Sequence, residues 1–125
     1  MPKVSKQSAE HVDDMPPAED RWSLLDDYRV EFVSIRQDSD LTPLLLGLPD
    51  DQCPCPHWGY VFKGRMWWRY GDREDVCEAG DAFYAPAGHT AGADAGTEFV
   101  IFGPNEILEE VHAHMGRRAQ EMQSA

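Results

Sequence analysis

Residues 80–89 read GDAFYAPAGH. A Gly-Asp pair opens the stretch, a short apolar and aromatic run follows, and Pro86 and Gly88 break it before His89. That is the pattern of one short strand held between two tight turns. The same rhythm continues on either side. CPHWGYVF, RMWWRY and EDVCEA precede it and TEFVIF follows, with Lys63-Gly64, Gly71-Asp72 and the run from Gly92 to Gly96 as turn signals. Short strands joined by Gly/Asp turns indicate an all-β sandwich or barrel.

Further out, YRVEFVSI at 28–35 alternates, with Tyr28, Val30 and Phe32 on one face, and predicts another strand. DSDLTPLLLGLPDD gives a loop with an apolar patch, punctuated by Pro43, Gly47 and Pro49. Residues 1–20 are polar, acidic and proline-containing, and predict a flexible arm. At the other end, Asn105 is placed to cap a helix over 105–125. Its glutamates fall early and Arg117 and Arg118 late, the polarity that the helix dipole favours.

The segment from Cys53 to Pro104 resembles the cupin family of small β-barrels. In GDAFYAPAGH, Gly80, Pro86 and Gly88 stand at the spacing of the second cupin motif. HWGYVFKGR resembles the end of the first motif, where an acidic metal ligand stands seven residues before a glycine. Gly64 is that glycine here, and His57 stands in the acid's place. Counting back, Cys53 falls where that family has its nearest histidine, and Asp51 near the outer one. The second motif's histidine position is Ala91, whereas His89 follows the glycine directly, as in a PxGH variant. The resemblance implies a single jelly-roll barrel over 21–104, with the arm before it and the helix packed on or beside it. It also implies a divalent metal ion, a small-molecule ligand and a homodimer.

The thiols and imidazoles bear their own reading. Cys53 and Cys55 each precede a proline, which pushes both into extended conformation. Side chains two apart on a strand share a face, which groups Asp51, Cys53, Cys55 and His57. Thiolate and imidazole suit zinc or iron first, with copper as the further candidate. Along a straight strand Cys53 and His57 lie ~13 Å apart, so they can share an ion only if the chain curls. The register of the resemblance favours Cys53, His57 and His89, and simple reach favours Cys55, His57 and His89. All four are candidate ligands. Cys77 is assigned to packing, His112 and His114 to the helix surface, and His11 carries no role. A Cys53–Cys55 disulfide would close a very small, strained ring.

In RMWWRY, arginines seldom fill a small barrel, so Met66, Trp68 and Tyr70 are expected to point inward. With Tyr84 they form the candidate substrate pocket. If His57, Gly59 and Val61 also face in, Trp58, Tyr60 and Phe62 face out and need a cover. A second subunit is the favoured one, and the helix stripe Ile107, Leu108, Val111 and Met115 is the alternative.

A chain of 125 residues with 42% hydrophobic content holds one domain with a real core. The net charge of −12 and scattered basic residues exclude nucleic acid as the expected partner. No apolar run approaches bilayer length, and the first residues lack a signal-peptide core. Three cysteines argue for a reducing compartment, and the cytoplasm is expected. With these bounds, the resemblance implies a metal-binding small-molecule cupin, for which a metal-dependent dioxygenase or isomerase is one expected activity. The alternative is a non-catalytic ligand-binding or sensor barrel.

Overall fold

Alternating apolar side chains and Gly-rich turns produce ten strands and two helices in the computed structural model, which describes residues 2–124. Residues 1 and 125, the ends of the expected arm and helix, lie outside the described residues. The strands are β1 (His11–Met15), β2 (Ala18–Leu25), β3 (Tyr28–Ile35), β4 (Ser39–Asp40), β5 (His57–Lys63), β6 (Arg65–Tyr70), β7 (Arg73–Glu78), β8 (Ala82–Ala85), β9 (Thr90–Ala93) and β10 (Glu98–Pro104). The helices are α1 (Thr42–Leu45) and α2 (Asn105–Ser124). A six-stranded sheet runs β1-β2-β3-β10-β5-β8, and a four-stranded sheet runs β4-β9-β6-β7. The strand pairs within them are antiparallel.

One apolar core joins the two sheets. Val61, Phe99 and Ile101 come from the first, and Met66, Trp68 and Ala91 from the second. The chain passes from β5 to β6, and so from sheet to sheet, at Gly64. This glycine has φ +86, and a Cβ there would lie 2.5 Å from Thr97 Oγ1. Buried Thr97 fixes the crossing, because its hydroxyl accepts from the Arg65 N–H at 3.0 Å and donates to the Arg65 carbonyl at 2.9 Å.

The expected flexible arm is corrected over residues 11–20. These residues supply β1 and the start of β2, which pairs with β3 along its length. Polarity concealed the hairpin. All of β1, Asp13 included, is exposed, and Asp20 stands beside Glu31 where an apolar residue would have announced a strand.

The strand expected to begin at Cys53 begins instead at His57. Pro54 and Pro56 have no N–H to give a ladder, so the chain bends through this stretch rather than running straight. The strand Thr90–Ala93, hidden among glycines read as a turn, pairs with β6.

Helix α2 buries Leu108 and Val111 against Leu45, Cys53 and Cys55. Gly103 permits that approach, since a Cβ there would lie 2.8 Å from Leu108 Cδ1 and 3.3 Å from Cys55 Sγ. The helix therefore does not cover the outer aromatics, and Trp58, Tyr60 and Phe62 remain exposed. Among the described residues, no helix is long and apolar enough to cross a membrane.

Candidate metal centre

The bend at Pro54 and Pro56 has a chemical result. It carries Cys53 Sγ to 3.7 Å from His57 Nε2, although four residues separate them. His89 arrives from the other side, after the Pro86–Gly88 turn. Two backbone bonds tie this segment to Cys53, with the Cys53 N–H donating to the His89 carbonyl and the Gly88 N–H to the Cys53 carbonyl, each at 2.8 Å. One donor atom from each of Cys53, His57 and His89 lies within 4.8 Å of the others, and all three residues are buried. The two imidazole centroids are 5.1 Å apart.

These donors fit an ion. Bonds of ~2.0–2.3 Å to a shared metal hold its ligand atoms roughly 3.5 Å apart, so the thiol–imidazole contact is already at ligating distance. His89 Nδ1–H donates to the Pro86 carbonyl at 2.8 Å, which leaves the Nε2 lone pair free for the site. Metal-binding histidines are oriented by this kind of outer hydrogen bond. His57 Nδ1, by contrast, is buried with no partner.

Burial sets the protonation. It pushes His57 down to about 3, with the neighbouring His89 adding to the effect. Burial lowers His89 too, against the opposing Pro86 hydrogen bond. Burial pushes the Cys53 thiol up to about 11, so the ligand set at neutral pH is one thiol and two neutral imidazoles. A thiol of this kind ionises only in exchange for another cation.

Cys55 is not part of the group. Its Sγ donates to the Pro56 carbonyl at 3.3 Å and packs under α2, and burial pushes it up to about 12. The i, i+2 alternation that grouped it with Cys53 and His57 fails because residues 54–56 are not a strand. Cys77 is buried in the core, as assigned.

Of the candidate pocket residues, Met66 and Trp68 face inward and are buried, and Tyr70 packs beside them. A pocket of about 240 Å³ lies against Trp68, Tyr70, Phe83, Ala85 and Pro86. Trp68 meets His89 edge-on at 4.8 Å and His57 at 5.7 Å, so the pocket and the centre share a wall. Tyr84 reaches only the rim. It is 55% exposed on the outer face, against Trp58, because its β8 neighbours Phe83 and Ala85 take the inward positions.

A second cluster escaped the sequence reading. Glu31, 1% exposed, accepts from Arg29 Nε at 3.1 Å and lies 2.9 Å from His112 Nε2. His112, assigned to the surface, instead docks α2 on β3, and its turn of helix faces the sheet. Asp20 lies beside Glu31 and completes the group. Burial pushes Asp20 up to about 10, helped by the Glu31 charge. Burial opposes Glu31's ionisation as well, but His112, Asp20 and Arg29 outweigh it and hold its carboxyl low. The available signal was Glu31 itself, a charge in the middle of an apolar strand.

No protein-family model matches the chain, and no curated protein does. Solved structures do. The polyketide cyclase RemF from Streptomyces resistomycificus superposes with a TM-score of 0.60 at 14% identity, over 84% of this chain and 80% of that one. An RmlC-like cupin from Shewanella frigidimarina gives 0.57 at 14% identity, over 81% and 88%. The iron(II) protein HppE gives 0.57 at 10% identity, over 82% and 60%. Two antiparallel sheets sharing one core, the switch at Gly64 and these superpositions agree: the chain has the cupin fold.

Proposed function

We propose that the protein binds one divalent, thiophilic ion through Cys53, His57 and His89, and holds a small, partly apolar molecule beside it. The convergence of the three donor atoms within 4.8 Å carries this reading. Zinc and iron are the favoured ions, with copper third, and the likeness to an iron(II) protein of the same fold supports that choice. When bound, such an ion supplies a Lewis-acid position with room for a ligand beyond the three side chains. Trp68 and Phe83 exclude water from one side of the pocket. Tyr70 donates to the Pro86 carbonyl at 3.2 Å, which anchors the turn that also orients His89. A metal-dependent dioxygenase or isomerase is the enzyme class this arrangement serves, on a jelly-roll barrel in the cytoplasm.

One observation favours a second reading. Asp75 is the only carboxylate among the described residues lining the pocket, and it lies on exposed β7. With so little acid–base equipment, a non-catalytic ligand-binding or sensor barrel is the alternative.

Metal analysis of protein purified without a histidine tag tests the centre. About one ion per chain is expected for wild type and for Cys55→Ala, and close to none for Cys53→Ala and His57→Ala. Equal metal in Cys53→Ala and wild type would remove the centre. Turnover of any small substrate, lost on chelation, would eliminate the sensor alternative.

The homodimer is proposed on the outer aromatics. Trp58, Tyr60, Phe62 and Tyr84 are 43%, 40%, 54% and 55% exposed on neighbouring strands of one sheet. An apolar patch of this kind marks an association surface. Size-exclusion chromatography is expected to give a dimer, and Trp58→Asp a monomer. A wild-type monomer at ~100 μM would exclude the dimer, because ordinary stable interfaces associate well below that concentration.

A further inference from the structure

Asp20, Glu31 and His112 stand apart from the thiol–imidazole group and come from three elements, β2, β3 and α2. One ligand atom from each lies within 4.8 Å of the others. We propose that they form a second divalent-cation site, built for a harder ion than the first.

Three observations point to a ligand rather than to a structural ion pair alone. Asp20 Oδ1 is buried with no hydrogen-bond partner, although a buried carboxylate oxygen ordinarily has one. Two carboxyl groups meet beside a single imidazole, and Arg29 satisfies only Glu31. Finally, one member of the group, His112, borders open space. A cleft of about 620 Å³ opens between the β1–β2 hairpin and α2, with Trp22, Arg29, Glu109 and His112 on its walls.

The donor chemistry sets the class of ion. Two carboxylate oxygens and one imidazole nitrogen suit a harder ion such as manganese, whereas thiolate with two imidazoles suits the softer ions proposed for the first site. Arg29 offsets the Glu31 charge and Asp20 holds its proton against Glu31, so an entering cation would displace that proton and take its place between the two carboxyl groups. The chain's net charge of −12 raises the local cation concentration further. The protein would then sort two ions by softness within one domain.

Manganese is the probe, because binding quenches the six-line resonance of the free ion. Titration of metal-stripped protein is expected to show one bound manganese in wild type and in Cys53→Ala, the latter having lost only the thiolate site. Asp20→Asn is expected to weaken manganese binding by ~100-fold or more, the scale on which metal sites respond to lost ligation. Asparagine keeps the volume of Asp20 and offers Glu31 an N–H, so this variant folds without the ion. His112→Gln gives the same loss from the helix side. Manganese bound equally by wild type, Asp20→Asn and His112→Gln would overturn the site, and so would wild type that leaves the free resonance unchanged at millimolar protein.

Discussion

Chelation of the ion proposed at Cys53, His57 and His89 is expected to lower stability by about 4 kcal/mol, the linkage value for a ligand present at ~1,000 times its dissociation constant. The stripped protein then becomes acid-sensitive. Burial holds folded His57 at about 3, against 6.5 for the free side chain. Between those limits the unfolded chain takes up a proton that folded His57 refuses. Stability of the metal-free protein therefore falls as pH drops below 6.5, and this loss ends near pH 3. His89, also depressed by burial, adds in the same direction. Asp20 works the other way, because its folded pKa is raised, so the clean measure is a difference. Wild type minus His57→Gln, both in chelator, is expected to change by a few kcal/mol between pH 7 and pH 4. Denaturant midpoints that track each other across that range would show that His57 is not held neutral by burial.

How the fold shows in the sequence differs sharply from one segment to the next. YRVEFVSI and RMWWRY alternate cleanly, and the strands Tyr28–Ile35 and Arg65–Tyr70 coincide with them residue for residue. The inward positions of Met66 and Trp68, and the outward ones of Trp58, Tyr60 and Phe62, follow from the same alternation. Two signals misled. Residues 11–20 lack the apolar period because β1 is exposed along its whole length and Asp20 on β2 meets the charged Glu31 instead of a core. Thr90–Ala93 is a strand built of small residues, and a Cβ at Gly92 would lie 2.2 Å from the Trp67 ring, so glycine there signals close packing rather than a turn. At the centre, residue types and motif register pointed to Cys53, His57 and His89, but spacing alone could not separate Cys53 from Cys55. Only the bend through two prolines does so, and that bend is a property of pairing lost along the chain. Asp20, Glu31 and His112 lie 11 and 81 residues apart in sequence, and no local pattern joins positions so distant.

Glu31→Ala is expected to destabilise the protein by ~3–5 kcal/mol, the cost of breaking a buried ion pair by removing one partner. The loss is not that of one hydrogen bond. Arg29 is 5% exposed and pressed against the Trp22 ring at 3.6 Å, and without Glu31 it keeps only the longer 4.0 Å contact with Asp13. His112 loses the contact that fixes α2 to β3, and Leu108 and Val111 depend on that docking for their burial. Glu31→Gln keeps one acceptor for Arg29, and its expected cost is smaller, ~1–3 kcal/mol. Asp20→Asn provides the contrast in metal-free buffer. Burial raises the Asp20 carboxyl from 3.8 to about 10, so the folded state binds a proton that the unfolded state has released. That difference erodes stability as pH rises through the window between those values. Removing the titration should leave Asp20→Asn at least as stable as wild type at pH 7, while Glu31→Ala falls well below both. Urea midpoints at unchanged m-value measure all three variants. If Glu31→Ala unfolds at the wild-type midpoint, Arg29 and His112 must find other partners, and the buried network does not hold the helix to the sheet.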